Sequence, residues 1–117
     1  MAAPNVVAVA TITGKTAVQA VGTSATAIVT NSSGSNKVLK VNALYVSNVD
    51  GTTAFEVTAD LFRSSTAYRL ASTITVPADA SLDLISKSIY LEEGDSLRLT
   101  ANTASKLEAI CSYEEIS

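Results

Sequence analysis

This 117-residue sequence predicts an all-β fold: an antiparallel β-sandwich, jelly-roll-like in arrangement, of about eight or nine short strands. Three observations predict it. Val, Ile and Thr recur throughout, and β-branched side chains suit a pleated surface. Several segments alternate apolar and polar residues, so that one face of each is apolar. No window joins a 3.6-residue apolar period to a capping residue, so helix signals are nearly absent.

The elements follow in chain order. "NVVAVATI", "TAVQAV" and "ATAIVTN" are the weaker strand candidates, and "NSSGSN" reads as a flexible loop. "KVLKVNALYVSNV" places Leu39, Val41, Ala43 and Tyr45 on one face. Asp50-Gly51 follows, a dipeptide that favours a two-residue hairpin because both positions then take positive φ. "TAFEVTADLFR" is the clearest strand, with Phe55, Val57, Ala59 and Leu61 opposite Glu56, Thr58 and Asp60. "AYRLASTITV" sets Tyr68, Leu70, Ile74 and Val76 on one face, and Pro77 ends it in the turn "PADA". "SLDLIS" is a short strand carrying Leu82 and Leu84. "SLRLTA" alternates Leu97, Leu99 and Ala101 with Arg98 and Thr100. "KLEAICSYEEI" alternates Leu107, Ala109, Cys111 and Tyr113 with Glu108, Ser112 and Glu114. On this map Gly14, Gly22, Gly34, Gly51 and Gly94 all fall in loops. The expected organisation is a single domain over residues 1–117, with residues 1–13 as an N-terminal arm or edge strand.

Composition narrows the function classes. Apolar residues make up 47 % and charged residues 16 %, which argues for a packed core and leaves few charges to cover an isolated monomer. Eight Lys and Arg against eleven Asp and Glu give a net charge of −3. The basic residues stand singly, so no patch exists to neutralise phosphates, and nucleic acid is not an expected partner. There is no His and one Cys. That removes the common zinc sites, the Ser–His and Cys–His nucleophile pairs, and any disulfide within the chain. The N-terminus has no charged region before its short apolar run, so it reads as neither signal peptide nor membrane span.

The densest chemistry is "SIYLEEGDSLRLTA", where Glu92, Glu93 and Asp95 crowd around Gly94. Gly supplies the positive φ of a tight turn and Asp bonds its own nearby backbone, so a solvated hairpin turn is expected. The competing reading is a weak Ca²⁺ or Mg²⁺ site on Glu92, Glu93 and Asp95, although no EF-hand-like run accompanies them. Cys111 falls in the apolar phase of its strand and reads as a buried thiol. Candidate interface residues are Val6, Val7 and Val9 in the N-terminal segment, Phe62, which is out of phase with Leu61, and Tyr113 and Ile116 near the C-terminus. No catalytic residue and no cofactor is assigned, and the chain is not expected to be an enzyme.

The segments "MAAPNVVAVATITGKT", "KVNALYVSNVDGTTAF", "TITVPADASLDLISKSIYLEEGDSLRLTA" and "CSYEEIS" together resemble small virion structural proteins of tailed phages, notably marine phages of cyanobacteria. The resemblance covers nearly the whole length. "KSIYLEEGDSLRLTA" and "SYEEIS" are its most specific parts. It implies a non-enzymatic, self-assembling part of the virion. The expectation is a capsid decoration or cement protein on the outside of the head, stabilising capsomer contacts. Its partners would be the major capsid protein or other virion proteins and further copies of itself, a trimer being favoured. A neck, tail or fibre component is one alternative, and a carbohydrate- or calcium-binding module is another. No membrane partner is expected.

Overall fold

A computed structural model describes residues 11–117. It is all-β, and nine strands form two antiparallel sheets packed face to face. The strands are β1 (Ile12–Val21), β2 (Thr26–Thr30), β3 (Val38–Asn48), β4 (Phe55–Arg63), β5 (Thr66–Val76), β6 (Ser81–Asp83), β7 (Ile89–Leu91), β8 (Ser96–Ala101) and β9 (Leu107–Ile116). The first sheet runs β1-β9-β3, with β6 and β7 sharing the far edge of β3. The second runs β2-β8-β4-β5. The predicted "TAVQAV" and "ATAIVTN" segments lie largely in β1 and β2. Most of "NVVAVATI" falls outside the described residues. Gly14 does not sit in a loop: it lies in β1 opposite Glu114, in an unbroken ten-residue register.

The core lies between the sheets. Its largest fully buried side chains include Leu44, Leu91, Leu97, Leu99 and Leu107, joined by Val21, Val41, Val46, Val57 and Val76. Strands β4 and β8 supply it by the simple alternation read from the sequence. Strand β3 does not. Its register against β9 shifts between Val41 and Ala43, so a bulge at Asn42 reverses the phase. Leu39 and Val41 point inward before the bulge, and Leu44 and Val46 after it. Tyr45, expected in the core, is therefore exposed. Strand β5 departs differently: Tyr68 and Ile74 pair with Leu61 and Val57 of β4, yet on this edge strand both are exposed, while Val76 is buried.

Asp50-Gly51 makes no hairpin. Strands β3 and β4 lie in different sheets, and neither Asp50 nor Gly51 has positive φ. The chain instead turns a corner. Asp50 Oδ1 accepts hydrogen bonds from the backbone N–H and the hydroxyl of Thr52, both at 2.9 Å. Buried Asn48 holds the corner closed: its Nδ2 donates to the carbonyls of Thr53 (2.9 Å) and Val76 (3.0 Å), and its Oδ1 accepts from Asp50 N–H at 2.9 Å. The two-residue hairpin is β4–β5, through Ser64 and Ser65 with φ of 52° and 61°. Both turn residues take positive φ, as such a turn requires, without the Asn or Gly that marks it in a sequence. The "PADA" turn stands as predicted, with Ala80 N–H donating to Pro77 O at 3.1 Å.

The bulge in β3 has a measurable consequence. Leu44→Ala is expected to cost about 3 kcal/mol in urea denaturation, as a large-to-small change in a packed core. Tyr45→Ala should cost less than about 1 kcal/mol, as a surface change. An uninterrupted alternation through β3 would reverse that order.

Candidate functional site

The acidic corner comes first. Glu92 to Asp95 links β7 in the first sheet to β8 in the second, so it is a turn but not a hairpin turn. Asp95 N–H donates to Glu92 O at 3.0 Å, and Gly94 takes φ 91°. Asp95 is buried, contrary to a fully solvated turn. Its carboxylate grips Arg63 at the end of β4: Nε donates to Oδ1 at 2.8 Å and Nη2 to Oδ2 at 2.5 Å. Oδ2 also accepts from Glu92 N–H at 2.8 Å, and Arg63 Nη2 donates to Glu92 Oε2 at 2.9 Å. Glu93 turns the other way and accepts from Asn36 N–H at 3.1 Å.

The corner is knitted into the "NSSGSN" loop, which sequence alone left as plain linker. Buried Asn31 donates through Nδ2 to the carbonyls of Leu91 and Lys37, each at 2.9 Å. Its backbone carbonyl accepts from Gly94 N–H at 2.7 Å, and its N–H donates to Asp95 O at 2.9 Å. The three carboxylates therefore serve the fold. Among the described residues, no group of three or more His, Cys, Asp or Glu is placed to hold a metal ion.

Electrostatics follow from this geometry. Burial opposes charge on Asp95. The Arg63 hydrogen bonds, the Glu92 N–H and the attraction of the guanidinium outweigh it and hold the carboxyl below the usual carboxylate range. Hydrogen bonding to Asp95 raises the Arg63 pKa in turn. Glu115 is also held low, chiefly by its bond from Lys37 Nζ at 2.9 Å, with Lys15 Nζ at 3.2 Å on its other oxygen.

The interface candidates divide. Val6, Val7 and Val9 lie outside the described residues. Phe62 is half-buried near the end of β4, with the Arg98 guanidinium 3.5 Å from its ring centroid, a cation–π contact. Tyr113 is half-buried and packs against the core. Ile116 is buried within the chain beside its register partner Val38, so it is no free anchor. Cys111 is buried as expected, and burial pushes its thiol up to about 11.

What the sequence missed is the solvent face of the first sheet. Val18, Ile110 and Tyr45 are register partners across β1, β9 and β3, and all three side chains are exposed. Each looked unremarkable alone. The row forms only because the bulge in β3 turns Tyr45 outward and β9 lies between β1 and β3.

No protein-family model matches the chain, and no curated protein does. Among solved structures, one covers 92 % of this chain and 88 % of its own, with 17 % identity and a TM-score of 0.52. It comes from Bacillus endospore appendages, described as a novel family of disulfide-linked pili. At that identity the likeness is one of fold: the two share a β-sandwich architecture.

Because Asp95 is depressed in the folded state, its contribution is complete above the ordinary Asp value of about 4 and is lost as pH falls below it. Urea midpoints followed from pH 6 downward should drop in that window, and Asp95→Asn should flatten the drop. Glu93→Ala should move the midpoint little at any pH. Calcium should leave the melting temperature unchanged; a rise abolished by alanine at Glu92, Glu93 and Asp95 would restore the metal reading.

Proposed function

We propose that this chain is a non-enzymatic structural protein of a macromolecular particle, docked by strand addition along β1. One observation carries the reading. Strand β1 runs ten residues with no register break, and among the described residues its only sheet partner is β9. Lys15 is the only charged residue along it. Soluble β-proteins usually blunt such an edge with charges, Pro or bulges. The other long edge, β5, carries that protection: two register shifts and Thr73 at φ 52°. The contrast supports β1 as the place where another chain adds a strand.

The solved neighbour supports a structural role, since a chain of similar fold comes from disulfide-linked pili. Disulfide linkage does not carry over. Cys111 is the single cysteine in these 117 residues and is buried in the core.

The finer reading rests on the resemblance to small virion proteins. The chain decorates the outside of a tailed-phage head, contacts the major capsid protein, and cements neighbouring capsomers. On this reading Val6, Val7 and Val9 contact the shell. A fibre or tail position is the second reading, favoured by the filamentous origin of the fold neighbour.

Quantitative mass spectrometry of purified particles separates these. Decoration predicts a copy number close to that of the major capsid protein, and loss of the protein from particles when residues 1–10 are removed. A tail or fibre position predicts far fewer copies. Absence from particles would sink both.

A further inference from the structure

We infer that the strand added to β1 is β1 of a second copy of this chain, paired about a two-fold axis at Thr16. This pairing rests on the reading of β1 as a strand-adding edge, and it fixes the partner and the register.

Hydrogen-bond parity along β1 sets which backbone groups are open. Thr11 and Ser117 exchange both of their backbone bonds, at 3.0 and 2.9 Å, so Thr11 faces β9. Bonded and non-bonded pairs alternate along an antiparallel ladder, and the register from Ile12 to Val21 is unbroken. Thr13, Lys15, Ala17, Gln19 and Val21 therefore bond to β9 as well. Ile12, Gly14, Thr16, Val18 and Ala20 turn their N–H and C=O groups to the open edge. None of them is Pro, so each offers one donor and one acceptor.

This edge is self-complementary. A half-turn about an axis through Thr16, perpendicular to the sheet, lays β1 antiparallel to its own copy. Thr16 then pairs with Thr16, Gly14 with Val18, and Ile12 with Ala20. Every open residue of β1 meets an open residue, and each pair exchanges two bonds. A two-fold on any other residue of β1 leaves at least one open residue without such a partner in the strand. The side chains fit the same register. On the outer face, exposed Ile12 and Val18 lie opposite the small Ala20 and Gly14. On the other face, Lys15 lies opposite Ala17, and Thr13 opposite Gln19. Like charges directly opposite are destabilising. Lys15 is the only charged residue in β1, and in this register it does not face itself; Glu115 of its own chain holds it at 3.2 Å. Thr13 and Lys15 are exposed, whereas Ala17 and Gln19 on the same face are half-buried, so the first half of β1 overhangs the second sheet. The half-turn sets each overhanging half beside the covered half of the partner. Such a contact is isologous, and it joins the two β1-β9-β3 sheets into one.

Cysteine cross-linking of the full chain tests the register. Directly paired residues lie about 5.5 Å apart at Cα, within reach of a disulfide. Thr16→Cys should therefore form a disulfide-linked dimer under mild oxidation, while buried Cys111 stays out of the reaction. Val18→Cys is as accessible but should not link to itself, because its opposite number is Gly14. Mixing Gly14→Cys chains with Val18→Cys chains should restore the link. Sedimentation velocity over a micromolar dilution series should show the wild type reaching twice 12.1 kDa. Thr16→Pro removes the central N–H of each copy and should weaken association about tenfold or more. That N–H faces away from β9, so circular dichroism should stay that of the wild type. A monomeric wild type, a mass three times the monomer, or linking by Val18→Cys alone as readily as by Thr16→Cys would overturn the proposal. Thr16→Pro in particles then separates it from the reading beneath it. If the two-fold fails and the variant is lost from particles, β1 takes its strand from the shell. If the two-fold fails and the variant is retained, strand addition at β1 falls too.

Discussion

The architecture depends on closing corners. The chain passes from one sheet to the other between β1 and β2, β2 and β3, β3 and β4, β5 and β6, β7 and β8, and β8 and β9. Each passage takes backbone N–H and C=O groups out of the ladders at the rim of an apolar core, where an unpaired polar group is costly. Two buried asparagines answer that cost. Asn48 ties the end of β3 to the start of β4 and the end of β5. Asn31 ties the end of β2 to the end of β7 and, through its backbone, to the acidic corner. An amide is the one uncharged side-chain group here that both donates twice and accepts, so it can replace ladder bonds on two strands together. The Asp95–Arg63 pair fastens the second corner to β4, with further bonds on the carboxylate that offset the loss of water around it.

Much of the fold was legible because alternation is a local property. Leu97, Leu99 and Ala101, and Val57, Ala59 and Leu61, declare their faces within one strand. What was not legible depended on partners. The bulge at Asn42 exists only relative to β9, and no residue there marks it. The Asp50-Gly51 dipeptide carries a local bias toward a hairpin, yet corner geometry won, because Asn48 and Asp50 supply better hydrogen-bond partners than a ladder could at that point. The Ser64-Ser65 turn shows the converse: pairing of β4 with β5 imposes positive φ on residues with no special taste for it.

The acidic stretch was legible as a turn and opaque in its role. Glu92, Glu93 and Asp95 are close in sequence, but only Glu92 and Asp95 meet in space, both on Arg63, while Glu93 turns away to Asn36. A cluster in sequence is a cluster of ligands only if the backbone lets the oxygens converge. Here the two oxygens that do converge close on the Arg63 guanidinium, and the third carboxylate faces elsewhere. The apolar row on the first sheet is the opposite case, since residues 27, 65 and 92 positions apart share one face only after topology has set β9 between β1 and β3.

That placement of β9 also orders events in time. The strand at the centre of the first sheet is the ninth in chain order, and it bonds to β1 over its full length and to β3 over most of its own. During synthesis the ribosome releases β1 and β3 long before the strand that belongs between them. Until β9 emerges, the two flank an empty slot, and the core residues Leu107, Ala109 and Cys111 are missing from the interior. Closure therefore waits on contacts of the greatest sequence separation, the slowest kind to form. The β1 edge and the row on β1, β9 and β3 come into being together in that last step, so a chain still under construction has no finished surface to offer a partner.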